Sequence, residues 1–160
     1  YYGEDVPELL KTGKAVSIRK SRYILVEFSP GDDFQYILNA VRKLQMSGHT
    51  VIIAHIERYN CLREDISNVE YLREMGAYLQ VNAGSITGSY GRSVKKFLRE
   101  VLKAHLVQLV GTDAHGPEKR SPKMQEAYKE VVKRCGEEYA DQIFGQNAKK
   151  VLRNEEIDEY

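Results

Sequence analysis

The chain has no tryptophan, only two cysteines and four prolines, and no excess of either charge: 24 Lys and Arg stand against 23 Asp and Glu. Each scarcity excludes something. A net charge of +1 provides no electrostatic footprint for nucleic acid or for an anionic membrane surface. No apolar run approaches the roughly 20 residues that a membrane-spanning helix needs. The opening YYGEDVPELL has the features of neither a signal peptide nor a transit peptide. Cys61 and Cys135 are far apart and unpatterned, so they read as reduced thiols of a cytoplasmic protein and not as a disulfide or a zinc site. There is no low-complexity tract, no linker and no close internal repeat. What remains is an ordinary soluble composition, 42% hydrophobic and 29% charged over 160 residues, enough for one domain with a core. Eleven tyrosines are many, and composition alone assigns them no role.

The apolar pattern alternates between two periods. Asp5 to Leu10 reads as a short helix with Pro7 early, and Ala15 to Ile18 as a short edge strand. Arg22 to Phe28 (RYILVEF), Thr50 to Ala54 (TVIIA), Ala77 to Val81 (AYLQV) and Leu106 to Val110 (LVQLV) read as strands. Helical spacing covers Phe34 to Met46, Asp65 to Met75, Ser93 to Ala104 and Pro122 to Cys135, followed by Glu138 to Phe144 and Asn147 to Leu152. The acidic tail NEEIDEY is expected to fray. Strands alternating with helices imply βαβ units, a parallel sheet and an α/β fold.

In such a fold the C-terminal strand ends share one face, which is where chemistry sits. Glu27 closes the first strong strand, His55 follows the second, Asn82 the third, and Asp113 and His115 the fourth. In extended chain Asp113 and His115 point the same way. Taken singly, each has a bland reading: Glu27 a salt-bridge partner, His55 a core histidine, Asp113 a helix cap with His115 on the surface. Together, carboxylates and imidazoles from several strand ends suit Mn²⁺, Fe²⁺ or Zn²⁺, and a multi-metal site suits phosphoryl chemistry. Arg58 lies three residues after His55, and Arg120 five after His115. Guanidinium forks match phosphate oxygens. His49 and His105 are expected to be solvated.

Several motifs then coincide. YYGED, RYILVEF, AHIERY, QVNAGSITGSYG, GTDAHGPEKR and GQNAKKVL resemble the polymerase and histidinol phosphatase (PHP) superfamily. Within it, they are similar to the manganese-dependent protein-tyrosine phosphatases of Gram-positive capsule and exopolysaccharide clusters, over essentially the whole chain. The resemblance implies a PHP-type distorted (β/α) TIM-like barrel. It implies Glu27 and His55 as ligands of one ion, with Asp113 on one ion and His115 on its neighbour. It implies two or three divalent ions in the complete site, with Mn expected and Fe or Zn as alternatives. Arg58 and Arg120 would hold the substrate phosphate. The implied reaction is hydrolysis of protein phosphotyrosine by a metal-bound hydroxide without a phosphoenzyme. The implied substrate is a tyrosine autokinase of polysaccharide export.

The sequence departs from that pattern in Ile56, where proline is usual, and in Gly111-Thr112, where serine is common before the aspartate. It also lacks the family's N-terminal strands with their HxH motif. The expectation is therefore a single PHP-type domain, residues 1–160, forming the C-terminal two-thirds of a barrel cut from a longer enzyme and having little activity alone. Two other readings remain at this stage: a phosphatase of a small phosphomonoester such as histidinol phosphate, and a non-catalytic phosphate-binding or assembly module. Homo-oligomerisation is left open.

Overall fold

Four short runs of β-branched and aromatic residues form a parallel sheet: Tyr23–Val26 (β1), Thr50–Ile53 (β2), Tyr78–Asn82 (β3) and Leu109–Gly111 (β4). The structure is a computed structural model and describes residues 1–114 and 123–157. Strand order follows chain order, β1-β2-β3-β4, with every neighbouring pair parallel. The helices described are Val6–Lys11 (α1), Phe34–Met46 (α2), Asn60–Glu64 (α3), Ser67–Glu74 (α4), Ala83–Thr87 (α5), Arg92–Lys103 (α6), Met124–Cys135 (α7), Glu137–Asp141 (α8) and Asn147–Leu152 (α9). A π-helical turn at Gln142–Gln146 joins the last two. The α/β class and the parallel sheet are as the alternation implied.

Both faces of the sheet are covered except at Leu25 of β1, which is why its strands are nearly continuous in apolar residues. Ile24, Val26, Val51, Ile53, Leu79 and Val81 point into the main core. There they meet the apolar stripe of α2 (Ile37, Leu38, Val41, Leu44) and that of α6 (Val94, Phe97, Leu98, Val101, Leu102). The α2 stripe starts cleanly because Asp33 caps it, its carboxylate accepting the Tyr36 N–H at 2.7 Å. On the opposite face Tyr23, Ile52 and Leu109 pack with Val151 of α9 and Ile157.

Four sequence expectations need correction. Ala15 to Ile18 is not a strand: Ile18–Lys20 is a 3₁₀ turn, with Arg19 and Lys20 at positive φ. Val16 is 82% exposed, so the alternation had no face to bury. The helix expected from Asp65 to Met75 starts at Ser67, because Asp65 is extended and its carboxylate accepts both the N–H and the hydroxyl of Ser67, and a separate short helix, α3, which the periodicity did not mark, precedes it. The tail does not fray as far as Ile157. The Tyr23 hydroxyl donates to the Glu155 carbonyl at 2.6 Å, and the Tyr78 hydroxyl to that of Ile157 at 3.3 Å. His105 is not a freely solvated ring; it stacks on Tyr139 at 4.4 Å, and partial burial lowers its pKa.

Candidate active site

The four strand ends do share one rim. Glu27 follows β1, His55 comes two residues after β2, Asn82 is the last residue of β3, and Asp113 comes two residues after β4. Two of these turns are conformationally costly. His55 has φ 35° and Asp113 φ 45°, the left-handed region, at about 1–2 kcal/mol for a residue with a Cβ. Surroundings must hold such residues in place, and strain of this kind concentrates at functional sites.

The surroundings of His55 are unusually specific. Its backbone N–H donates to the Gln80 side-chain oxygen at 2.6 Å. Its Nδ1 lies 3.3 Å from the Tyr59 hydroxyl. That hydroxyl donates its one proton to the Ala54 carbonyl at 2.8 Å and accepts the Phe28 N–H at 3.1 Å. Toward the imidazole it therefore has only a lone pair to offer, so Nδ1 carries the ring proton and Nε2 is left with its lone pair. Nε2 is buried with no hydrogen-bond partner, yet it lies 3.2 Å from Oε1 of Glu27. An imidazole nitrogen and a carboxylate oxygen thus face one another across the rim. That arrangement fits a divalent cation shared by an imidazole and a carboxylate.

Asp113 lies at a different corner. Its Oδ2 accepts from Nη2 of Arg58 at 2.8 Å and from the Asn82 side-chain amide at 3.1 Å. The Gln80 amide donates to Asn82 Oδ1 at 3.0 Å and to the Val81 carbonyl at 2.7 Å. Gln80 thus links the His55 turn to the Asp113 turn. A Cβ at Gly111 would meet the Gln80 amide nitrogen at 2.5 Å, so glycine at this position leaves room for the link. Across the same rim Glu57 is 2% exposed, and its Oε1 accepts the Asn82 N–H at 2.9 Å.

The structure thus pairs Glu27 with His55 and Arg58 with Asp113. Among the described residues, no group of three or more His, Cys, Asp or Glu side chains is gathered tightly enough to hold a metal ion. His115 and Arg120, the other two residues assigned from the sequence, lie outside the described residues. Sequence reasoning missed Tyr59, Gln80 and Glu57. Two of them sit inside AHIERY. Gln80 was signalled as a polar residue in an apolar strand, two positions before Asn82 and so on the same face.

Burial raises the Glu57 pKa, against the opposing effects of Ser85, the Asn82 N–H and Arg58. The sign of the linkage follows. With the folded value above the unfolded one, the native state holds the extra proton, so stability falls as pH rises from the ordinary carboxylate range through the folded value. Glu57→Gln keeps an acceptor for the Asn82 N–H and removes the charge. It should raise Tm near neutral pH and flatten that part of the pH–stability curve, as thermal melts across pH would show.

The chain matches the family described as "Capsular polysaccharide synthesis, CpsB/CapC" over residues 1–153. It is 34% identical over 162 residues to the tyrosine-protein phosphatase CpsB of Streptococcus agalactiae serotype V, covering 98% of this chain and 67% of that protein. To the tyrosine-protein phosphatase YwqE of Bacillus subtilis strain 168 it is 34% identical over 156 residues, covering 98% of this chain and 61% of that one. A solved structure superposes with a TM-score of 0.91 at 33% identity, covering 99% of this chain and 63% of the other. It belongs to work on YwqE from Bacillus subtilis and CpsB from Streptococcus pneumoniae, described as "unique metal-dependent tyrosine phosphatases". The chain therefore spans about two-thirds of these relatives.

Proposed function

The chain belongs to the CpsB/CapC family of capsular polysaccharide synthesis, and from that premise we propose that it provides much of the active site of a metal-dependent protein-tyrosine phosphatase. The observation that carries the reading is the facing pair of His55 Nε2 and Glu27 Oε1 at 3.2 Å, with Nε2 buried and without a hydrogen bond.

Glu27 and His55 would hold one divalent ion, and Asp113 would contribute to holding another, with manganese the metal expected. Bound divalent ions supply a nucleophile at neutral pH and neutralise charge on the phosphoryl oxygens. The chain's own residues do the rest. Tyr59 fixes the His55 ring and its tautomer. Gln80 and Asn82 fix the two strained turns relative to one another. Arg58, anchored on Asp113, presents a guanidinium to the phosphate and orients it for in-line displacement. His115 and Arg120 are proposed as a further ligand and a second phosphate contact. The fold is proposed to complete a PHP-type barrel. Two features support this: β1 is an edge strand, which barrel closure would pair, and its Leu25 is 53% exposed on the face that would line the barrel interior. The substrate is proposed to be a phosphotyrosine protein, a tyrosine kinase of capsule synthesis, in the cytoplasm. No helix among the described residues is long and apolar enough to cross a membrane.

The test is hydrolysis by the native full-length protein, with and without added Mn²⁺, of a phosphotyrosine peptide and of histidinol phosphate. The expected result is metal-dependent turnover of the peptide in preference to histidinol phosphate. Preference for histidinol phosphate would replace this reading with the small-substrate one. Arg58→Ala should raise KM for the peptide about 10–100-fold, the range of a lost hydrogen bond to a charged group.

A further inference from the structure

Beside the rim is a cavity of about 380 Å³, within the size range of small-ligand sites. Arg58 lines it, and so do Arg63, Glu57, Ser85, Pro30, Tyr90 and Val94. One guanidinium therefore belongs both to the cavity wall and to the Asp113 corner, where its Nη2 sits 2.8 Å from the carboxylate. The wall away from Arg58 combines a proline, an aromatic ring and a valine with a second arginine, Arg63. The polar part includes Glu57, 2% exposed, and Ser85.

We propose that this cavity takes the aryl group of the phosphomonoester and that Tyr90 is its specificity-determining wall, an inference that rests on the phosphatase reading above. A phosphate held at Arg58 has its ester oxygen on a neighbouring atom, so the ring attached to that oxygen must lie within a few ångström. Among the described residues, the cavity that begins at Arg58 offers such a space. A planar phenyl ring fits between Pro30, Val94 and Tyr90 and gains edge-to-face or offset contact with Tyr90. Tyr90 itself is seated by the backbone, since a Cβ at Gly84 would lie 3.6 Å from its Cε2. At 42% exposure its ring is not a core residue, so its removal does not threaten the fold.

The test uses the native full-length protein in Mn²⁺ and reads two constants, KM for a phosphotyrosine peptide and Ki for inorganic phosphate, which has no ring. Tyr90→Ala should raise KM about 3- to 10-fold, the range expected for one lost aromatic pair, with kcat and Ki unchanged. Tyr90→Phe should restore the wild-type KM, because the ring and not the hydroxyl makes the contact. An unchanged KM in Tyr90→Ala, or a Ki that rises in step with KM, would overturn the aryl-site assignment while leaving phosphatase activity in place. Wild-type protein with no phosphotyrosine hydrolysis would overturn the phosphatase reading and this one together.

Discussion

His55→Ala is expected to abolish phosphotyrosine hydrolysis, lowering kcat/KM by at least about 10³-fold, or about 4 kcal/mol at 1.36 kcal/mol per tenfold. The reasoning starts with the chain. β2 is TVII, buried almost throughout, and it delivers His55 to the rim in a left-handed turn. Alanine at that φ is no less strained than histidine, so the turn is held as before by the Gln80 acceptor on the backbone N–H. What disappears is Nε2, the buried donor facing Glu27. A single carboxylate then remains where an imidazole and a carboxylate stood, and a divalent ion loses one strong ligand. The check is twofold. Mn²⁺ binding measured by calorimetry should weaken together with activity, and the far-ultraviolet circular dichroism should match wild type. Full activity with unaltered Mn²⁺ affinity would remove His55 from the metal site.

Much of the rim was legible because it depends on periodicity. Apolar runs of four or five residues between helical patterns define strands. The first polar residue after such a run lands at a strand end whatever the details of packing. Glu27, His55 and Asn82 follow from that alone, and Asp113 comes just behind Thr112, the first polar residue after its run. The residues that hold them were less visible for a physical reason: their partners are distant in sequence or are backbone atoms. Gln80 acts on His55 from 25 residues away, and Glu57 acts on the Asn82 N–H over the same separation; no local spacing marks either link. The misreadings have equally concrete causes. Ala15 to Ile18 alternates but has nothing to pack against. The tail looks solvated by composition, yet Ile157 is buried and the carbonyls of Glu155 and Ile157 are taken by tyrosine hydroxyls.

Those hydroxyls also give the tyrosines a role. Tyr23 and Tyr78 hold the tail. Tyr139 donates to the Val107 carbonyl at 2.8 Å and accepts the Val107 N–H at 3.3 Å, fixing the chain just ahead of β4. Each is an apolar ring in the core with one polar atom spent on main chain that ladder bonding leaves unpaired. Tryptophan, a donor only, could not both donate and accept as Tyr139 and Tyr59 do.

Tyr59 is where this matters most, and Tyr59→Phe is expected to weaken Mn²⁺ binding about 10–100-fold, the range for losing a ligand-orienting partner. The ring stays, so packing against Phe28 at 5.9 Å and the apolar volume are retained. The oxygen goes, and three groups lose a partner at once: the Ala54 carbonyl, the Phe28 N–H and His55 Nδ1. The first two are buried backbone groups, each costing about 1–3 kcal/mol when left unpaired, so denaturation should also show a clear loss of stability. The third loss is the informative one. Without an acceptor at Nδ1, the imidazole can place its proton on Nε2 and donate it to Glu27, 3.2 Å away, so binding an ion must shift that proton to Nδ1, where no acceptor awaits it. Two readouts separate this from simple destabilisation. The ¹⁵N chemical shifts of the His55 ring should move from the Nδ1–H to the Nε2–H pattern in the metal-free variant. The Mn²⁺ affinity of Tyr59→Phe should also fall under conditions where the variant is fully folded, which a loss of stability alone would not cause. If the tautomer pattern is unchanged and Mn²⁺ affinity holds, Tyr59 is only a core residue, and the lone pair at Nε2 owes nothing to it.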